Sequence, residues 1–205
     1  MDANSNTDTN SNSDSDSSLA DRRGLETDVY QPAEDSHLLA TTASERVDEG
    51  DLVLEVGTGS GYVAETVAAA GARVIGSDLN PHACERARDR GVEAVRADLL
   101  APFSDDVFDA VVFNPPYLPT DPDNEWDDWM EHALSGGESG REVIDRFLSD
   151  VGRVLAPGGV VLLLVSSLTG VEEVVERAGE EGFGAVALED ESFPFETLTV
   201  LELVG

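Results

Sequence analysis

The sequence predicts an α/β protein on an open, doubly wound, seven-stranded sheet, mostly parallel with an antiparallel last strand. Three observations carry that prediction. Short apolar runs rich in Val, Leu and Ile alternate with amphipathic helical patterns. The runs from Leu52 to Val56, Ala110 to Phe113 and Val160 to Val165 are almost free of polar residues, as strands covered on both faces are. The last two runs are separated only by 190–196, which is too little chain for a helical crossover, so they pair antiparallel.

In chain order, the strands are expected from Asp51 to Val56, Arg73 to Ser77, Ala94 to Ala97, Asp109 to Phe113 and Val160 to Val165, then Ala185 to Leu188 and Thr197 to Val204. A helix opens near Tyr62, after the glycines that follow the first strand. Another is expected from Arg141 to Leu155. Val143, Phe147, Val151 and Val154 share one face of it, and Ile144, Leu148 and Leu155 widen that face. Pro157-Gly158-Gly159 is expected to stop it.

In such a sheet the ligand sits beyond the carboxyl ends of the strands, at the point where strand order reverses. The first strand runs into Glu55-Val56-Gly57-Thr58-Gly59-Ser60-Gly61. Alternate glycines allow a sharp turn and close approach of backbone to a ligand. The run is not the dinucleotide fingerprint, because a third glycine should then stand at 62, where Tyr62 is found. A P-loop is excluded because the chain has no Lys. Glu55 would disfavour a phosphate and suit a cation.

The second strand leads to Asp78, twenty-one residues after Gly57, placed to accept from both hydroxyls of a ribose. The third leads to Asp98 and Leu99, with the acid placed to accept from an adenine amino group. The fourth ends in Asn114-Pro115-Pro116-Tyr117, the sharpest signal in the chain. Two prolines remove two backbone donors and fix φ. The Asn114 side-chain oxygen and the Pro115 carbonyl can each accept one N–H of a planar –NH₂ group, and Tyr117 offers a flat face for stacking. Such a clamp aligns an amide or exocyclic amine nitrogen with an activated methyl group and supports the positive charge developing on that nitrogen.

Acidic residues number 43 and basic residues 12, all of them Arg, for a net charge of −31. That balance offers no electrostatic footprint for phosphate backbones or anionic membranes. No run of apolar residues reaches a membrane span and no secretory signal opens the chain, so a soluble, cytoplasmic protein is expected. With 40% apolar residues in spaced blocks, the acidity is not disorder. Residues 1–20 are expected to be a disordered polar tail, leaving 21–205 as a single domain. The first eighteen residues carry only −4 of the charge, so the body carries −27. Self-repulsion of that size points to a high-salt, halophilic cytoplasm, where screening shortens to roughly 3 Å near molar salt. One Cys cannot form an internal disulfide, and His37, His82 and His132 are too scattered to suggest a metal site.

The pattern of strand ends, Glu-x-Gly-x-Gly-x-Gly followed by two strand-end acids, resembles the cofactor site of the class I methyltransferases, with their Rossmann-like fold and S-adenosyl-L-methionine cofactor. The Asn-Pro-Pro-Tyr motif occurs in N6-adenine methyltransferases and in HemK-type protein glutamine methyltransferases, and its flanks discriminate. The stretches from Val29 to Leu39 (VYQPAEDSHLL), from Gly136 to Phe147 (GGESGREVIDRF) and from Glu196 to Leu201 (ETLTVL) resemble the archaeal and eukaryotic branch of the HemK-like family. That branch lacks the helical N-terminal domain of the bacterial proteins, and none is expected here.

The resemblance implies N5-methylation of the Gln side chain in the Gly-Gly-Gln loop of a translation release factor. Carried over by motif, Ser36, Glu55, Gly57, Gly59, Asp78, Asp98 and Leu99 bind the cofactor. Asn114, Pro115, Pro116 and Tyr117 hold the Gln amide, with Asn114 touching both ligands. It also implies a small zinc-binding methyltransferase activator protein as partner, docked on the strand from Val92 to Ala97, an edge in this sheet order. The loop from Leu118 to Leu134 carries Trp126 and Trp129, either core packing or a lid over the amide. Three rival readings stand. An adenine methyltransferase acting on RNA or DNA would want a basic stripe, and none exists. A lysine methyltransferase would not use a planar-amide clamp. A non-catalytic binding module would not need motifs at every strand end.

Overall fold

The computed structural model describes residues 29–118 and 129–205. The expected tail and Trp126 lie outside them. Seven strands form one sheet in the order β3-β2-β1-β4-β5-β7-β6. They are β1 (Leu52–Val56), β2 (Arg73–Asp78), β3 (Glu93–Arg96), β4 (Phe108–Phe113), β5 (Leu155–Ser166), β6 (Gly184–Ser192) and β7 (Thr197–Val204). The first five run parallel, and β7 lies antiparallel between β5 and β6. Strand order reverses between β1 and β4, the position from which a ligand crevice was expected.

Alternation along each strand assigns its side chains to two cores. On one face Leu54, Val111, Phe113, Leu163 and Leu203 meet helices α5 (Glu142–Val154) and α6 (Val171–Glu180). On the other, Val53, Ala110, Val112, Leu164 and Val200 meet α1 (Glu34–Arg46), α2 (Tyr62–Ala69) and α3 (Pro81–Asp89). A short helix, α4 (Trp129–Leu134), precedes α5. Both faces being covered explains why the central strands read as unbroken apolar runs. No helix among the described residues is long and apolar enough to cross a membrane.

Several boundaries differ from the sequence reading by one residue, and those of β5, which starts at Leu155 rather than Val160, and β6 by more. The α5 helix ends at Val154, and Leu155 is already extended (φ −71°, ψ 132°). The chain turns there because Leu155 pairs with Phe108. The register then slips, so that Val160 pairs with Ala110, with Pro157-Gly158-Gly159 in the irregular stretch between. A side chain at Gly159 would meet the Phe108 carbonyl oxygen at 2.8 Å. The sixth strand runs on to Ser192 instead of stopping at Leu188, so the expected 190–196 connection shrinks to a tight turn. Glu189, Asp190 and Glu191 read as loop residues, yet on a solvated edge strand they need no apolar partner and blunt the edge against other chains.

Away from the ends of β1 to β4, an acid is buried on β7. Glu202 on β7 is only 6% exposed and faces α1, where Arg46 approaches it at 2.5 Å. Removing the guanidinium would leave a buried carboxylate uncompensated. Arg46→Met is therefore expected to lower the unfolding free energy by about 1–3 kcal/mol, and adding Glu202→Leu to recover most of it, as read by denaturant titration at fixed salt.

Candidate active site

Sequence position alone scattered the site residues over 82 positions, from Ser36 to Tyr117; the sheet gathers them. Ser36, Glu55, Gly57, Gly59, Asp78, Asp98, Leu99, Asn114, Pro115, Pro116 and Tyr117 all line one cavity of about 220 Å³ at the carboxyl ends of β1 to β4.

The turn after β1 is left-handed at Gly57, Gly59 and Gly61 (φ 66°, 52° and 81°), a geometry that an L side chain resists. At Gly61 space is decisive as well. A Cβ there would lie 2.8 Å from the Ala87 Cα, so glycine lets α2 start against α3. The turn is held by carboxylates. Glu55, 5% exposed, accepts from the Thr58 hydroxyl and, at 3.1 Å, from the Ala64 amide in the first turn of α2. Asp78 accepts from the Gly59 amide at 2.9 Å through one oxygen and from the Asn80 amide at 2.8 Å through the other. Asn80 in turn accepts from the His82 amide at 2.9 Å and caps α3, with Pro81 at its first position. Both acids thus face the cavity and stiffen its wall at the same time.

At the third strand end, Leu99 adopts φ 48°, an uncommon conformation for a branched residue and one met at ligand-facing turns. Asp98 receives both of its oxygens' contacts from Arg146 of α5, at 2.9 and 3.1 Å. Arg146 also lines the cavity and was not singled out from the sequence. Its only signal there was its place in the GREVIDRF stretch.

The residue that sequence reasoning missed most is Asp35. It is 4% exposed and accepts from the Ser36 amide at 2.6 Å, the Tyr30 hydroxyl at 3.1 Å and the Asn114 Nδ2 at 3.0 Å. A carboxylate only accepts, so it selects the NH₂ end of Asn114 and turns the amide oxygen the other way. That Oδ1 is buried and accepts no hydrogen bond among the described residues. A buried acceptor left this way costs about 1–3 kcal/mol unless a ligand answers it. Trp129 begins α4 and lines the same cavity.

The electrostatics follow from burial. Glu55 is pushed up to about 8, chiefly by desolvation and slightly by the nearby Asp78 charge, against the pull of its two donors. Desolvation also raises Asp78. The Tyr117 phenol is held well above its ordinary value by burial, then by Asp35, Glu196 and Glu34, so it stays neutral across the working range. Tyr30 is raised in the same way by burial and Asp35.

The Glu55 shift carries a sign that can be checked. Its folded value of about 8 lies above the ordinary 4.5, so the folded protein holds a proton there that the unfolded chain has lost. Stability of the ligand-free protein therefore falls as pH rises from about 5 to about 8. Glu55→Gln is expected to flatten that fall, seen as an unfolding free energy difference from wild type that grows in the variant's favour across the window.

A family model described as a methyltransferase domain matches residues 53–137. The chain is 38% identical over 184 residues to a protein N5-glutamine methyltransferase of Methanocaldococcus jannaschii, covering 86% of this chain and 92% of that one. It is 36% identical over 196 residues to the human methyltransferase HEMK2, covering 88% and 91%. The E. cuniculi Mtq2 in its complex with Trm112, responsible for methylation of the eRF1 translation termination factor, superposes with a TM-score of 0.72 at 34% identity, over 87% of this chain and 99% of that one. Matched over nearly its whole described length in sequence and in fold, this chain belongs to the HemK-like family of protein glutamine N5-methyltransferases, class I enzymes that use S-adenosylmethionine.

Proposed function

We propose that this protein methylates the side-chain amide nitrogen of the glutamine in the Gly-Gly-Gln loop of a translation release factor. The observation that carries the reading is the Asn114 amide in the cavity wall, its nitrogen held by Asp35 and its buried Oδ1 without a hydrogen-bond partner among the described residues. It is an acceptor waiting for an N–H, at the end of the strand where the substrate amide is expected.

The cavity suits the cofactor. Left-handed glycines allow close backbone approach, Asp78 still has lone pairs for ribose hydroxyls, and buried Glu55 gains by ionising beside a cation. S-adenosylmethionine supplies an electrophilic methyl group on a sulfonium. In this reading Ser36, Glu55, Gly57, Gly59, Asp78, Asp98 and Leu99 hold it, with Arg146 steadying Asp98. Asn114 Oδ1 and the Pro115 carbonyl each accept one hydrogen of the glutamine –NH₂, which fixes the plane of the amide and aims its nitrogen at the methyl carbon. Pro116 keeps that stretch stiff, and the neutral Tyr117 ring covers the amide face. As the nitrogen–carbon bond forms and the sulfur–methyl bond breaks, leaving a neutral thioether, the two acceptors would stabilise the positive charge growing on nitrogen, and one of the two hydrogens then leaves as a proton to water. No side chain has to act as a strong base. Trp129, lining the cavity, shields the amide from solvent.

A small activator protein docks at the β3 edge in the same reading. The strand ends the sheet there, and Val95 and Leu79 beside it are 39% and 45% exposed. The E. cuniculi relative is itself a complex with such a partner. Any zinc belongs to that partner. Residues 21–205 are taken as one domain, and the −31 charge as adaptation to a high-salt cytoplasm, where the release factor works.

Labelled S-adenosylmethionine with purified release factor tests the substrate. Labelling is expected on the natural factor and lost when its loop Gln is changed to Ala; equal labelling of both forms would sink the proposal. Asn114→Ala is expected to abolish transfer with cofactor affinity reduced only a few-fold. Asp35→Asn, which lets the Asn114 amide turn over, is expected to lower kcat about tenfold or more while the cofactor Kd, measured by calorimetry, changes far less.

A further inference from the structure

The β6–β7 turn has a feature that folding does not require. The Phe193 amide donates to the Glu196 carbonyl at 2.7 Å and closes the turn, with Pro194 and Phe195 at its tip. Phe193 packs into the same cluster as Tyr117 and Leu188. Phe195 points the other way and is 91% exposed, far beyond the next large apolar side chain among the described residues, Val186 at 55%. A polar residue would serve the tip equally well, since Pro194 already presets the turn.

The turn stands beside the clamp. Register pairs Leu198 with Ser166 at the end of β5, while Leu163, three residues earlier, pairs with Phe113 next to Asn114. The Glu196 carboxylate bends back to accept from the Ser166 hydroxyl at 2.6 Å. Its charge reaches the Tyr117 hydroxyl together with those of Asp35 and exposed Glu34. Beside the clamp thus stand one protruding aromatic ring and the carboxylates of Glu34 and Glu196, with Arg141 engaged on the Thr169 carbonyl at 2.6 Å, three residues beyond Ser166.

We infer that the β6–β7 turn is a docking lip for the body of the protein substrate: Phe195 seats against an apolar patch of that protein, and Glu34 and Glu196 face a basic side chain beside its methyl-accepting glutamine. The inference rests on the glutamine reading above. Charge complementarity selects the occupant, since a second copy of this −31 chain would bring like charge to the lip. The activator's proposed edge, β3, is at the opposite end of the sheet. Aromatic anchors at the centre of a contact commonly dominate its binding energy, and apolar contact survives the salt that screens carboxylates.

The test compares wild type, Phe195→Ala and Glu34→Gln on intact release factor and on a short peptide spanning its glutamine loop, over the salt range in which the protein stays folded. Phe195→Ala is expected to raise KM for the intact factor about tenfold at every salt, leaving KM for the peptide and the cofactor Kd within about twofold of wild type. Glu34→Gln is expected to raise KM for the intact factor two- to threefold at the lowest salt and not at the highest. An unchanged KM for a factor that wild type does methylate overturns the docking lip alone. So does an equal loss on peptide and factor, a drop in melting temperature or cofactor affinity in Phe195→Ala, or a dimer in wild type that Phe195→Ala dissociates. Wild type that methylates neither substrate overturns the glutamine reading, and the lip with it.

Discussion

Three buried or half-buried carboxylates, Glu55, Asp78 and Asp35, accept from backbone amides in the turns that form the cavity wall. Hydrogen bonds of this kind are stronger where water is excluded. They fix the glycine turn after β1, the entry to α3 and the start of α1, so the ligand-facing backbone is rigid before any ligand arrives. The glycines make these turns possible and the acids make them single-valued. Neither suffices alone, because a glycine turn without a fixed acceptor loses more entropy on ordering than other chains do.

The same logic extends to the clamp. An asparagine amide can present either end, and rotation by half a turn would aim a donor at the substrate's own –NH₂. The Asp35 carboxylate removes that ambiguity because it can only accept. It does so from 79 residues earlier in the chain, in the first turn of α1, which ties the N-terminal segment to the end of β4. The orphaned Asn114 oxygen is the consequence: a local destabilisation that the fold tolerates and that a bound amide would relieve.

The large negative charge separates into two populations by burial. Most of the acids among the described residues are solvated, and on β6 they also guard an exposed edge. A few are buried where desolvation lifts their proton affinity, as at Glu55, and there a carboxylate is poised to respond to an incoming cation. Net charge alone could not distinguish the two groups.

The sequence by itself determined the sheet, its parallel interior and the strand ends that carry Glu55, Asp78, Asp98 and Asn114, because strands buried on both faces leave an unmistakable apolar run and turns after them must be built from glycine, proline and acids. It also marked Asn114 to Tyr117 as the segment proposed to hold a planar –NH₂ group, with the flanking stretches favouring an amide over adenine. Tertiary structure decided what no periodicity encodes. Asp35 reads as one more acid in the first turn of a helix until it meets Asn114; Arg146 reads as a solvated helix residue until it meets Asp98. The end of α5 was set by pairing with Phe108 rather than by the nearby Pro-Gly-Gly, and acidic β6 by its place beside β7. For Asp35, Arg146 and the end of α5 the deciding partner is distant along the chain, and a side chain's meaning is fixed by the group it touches in space.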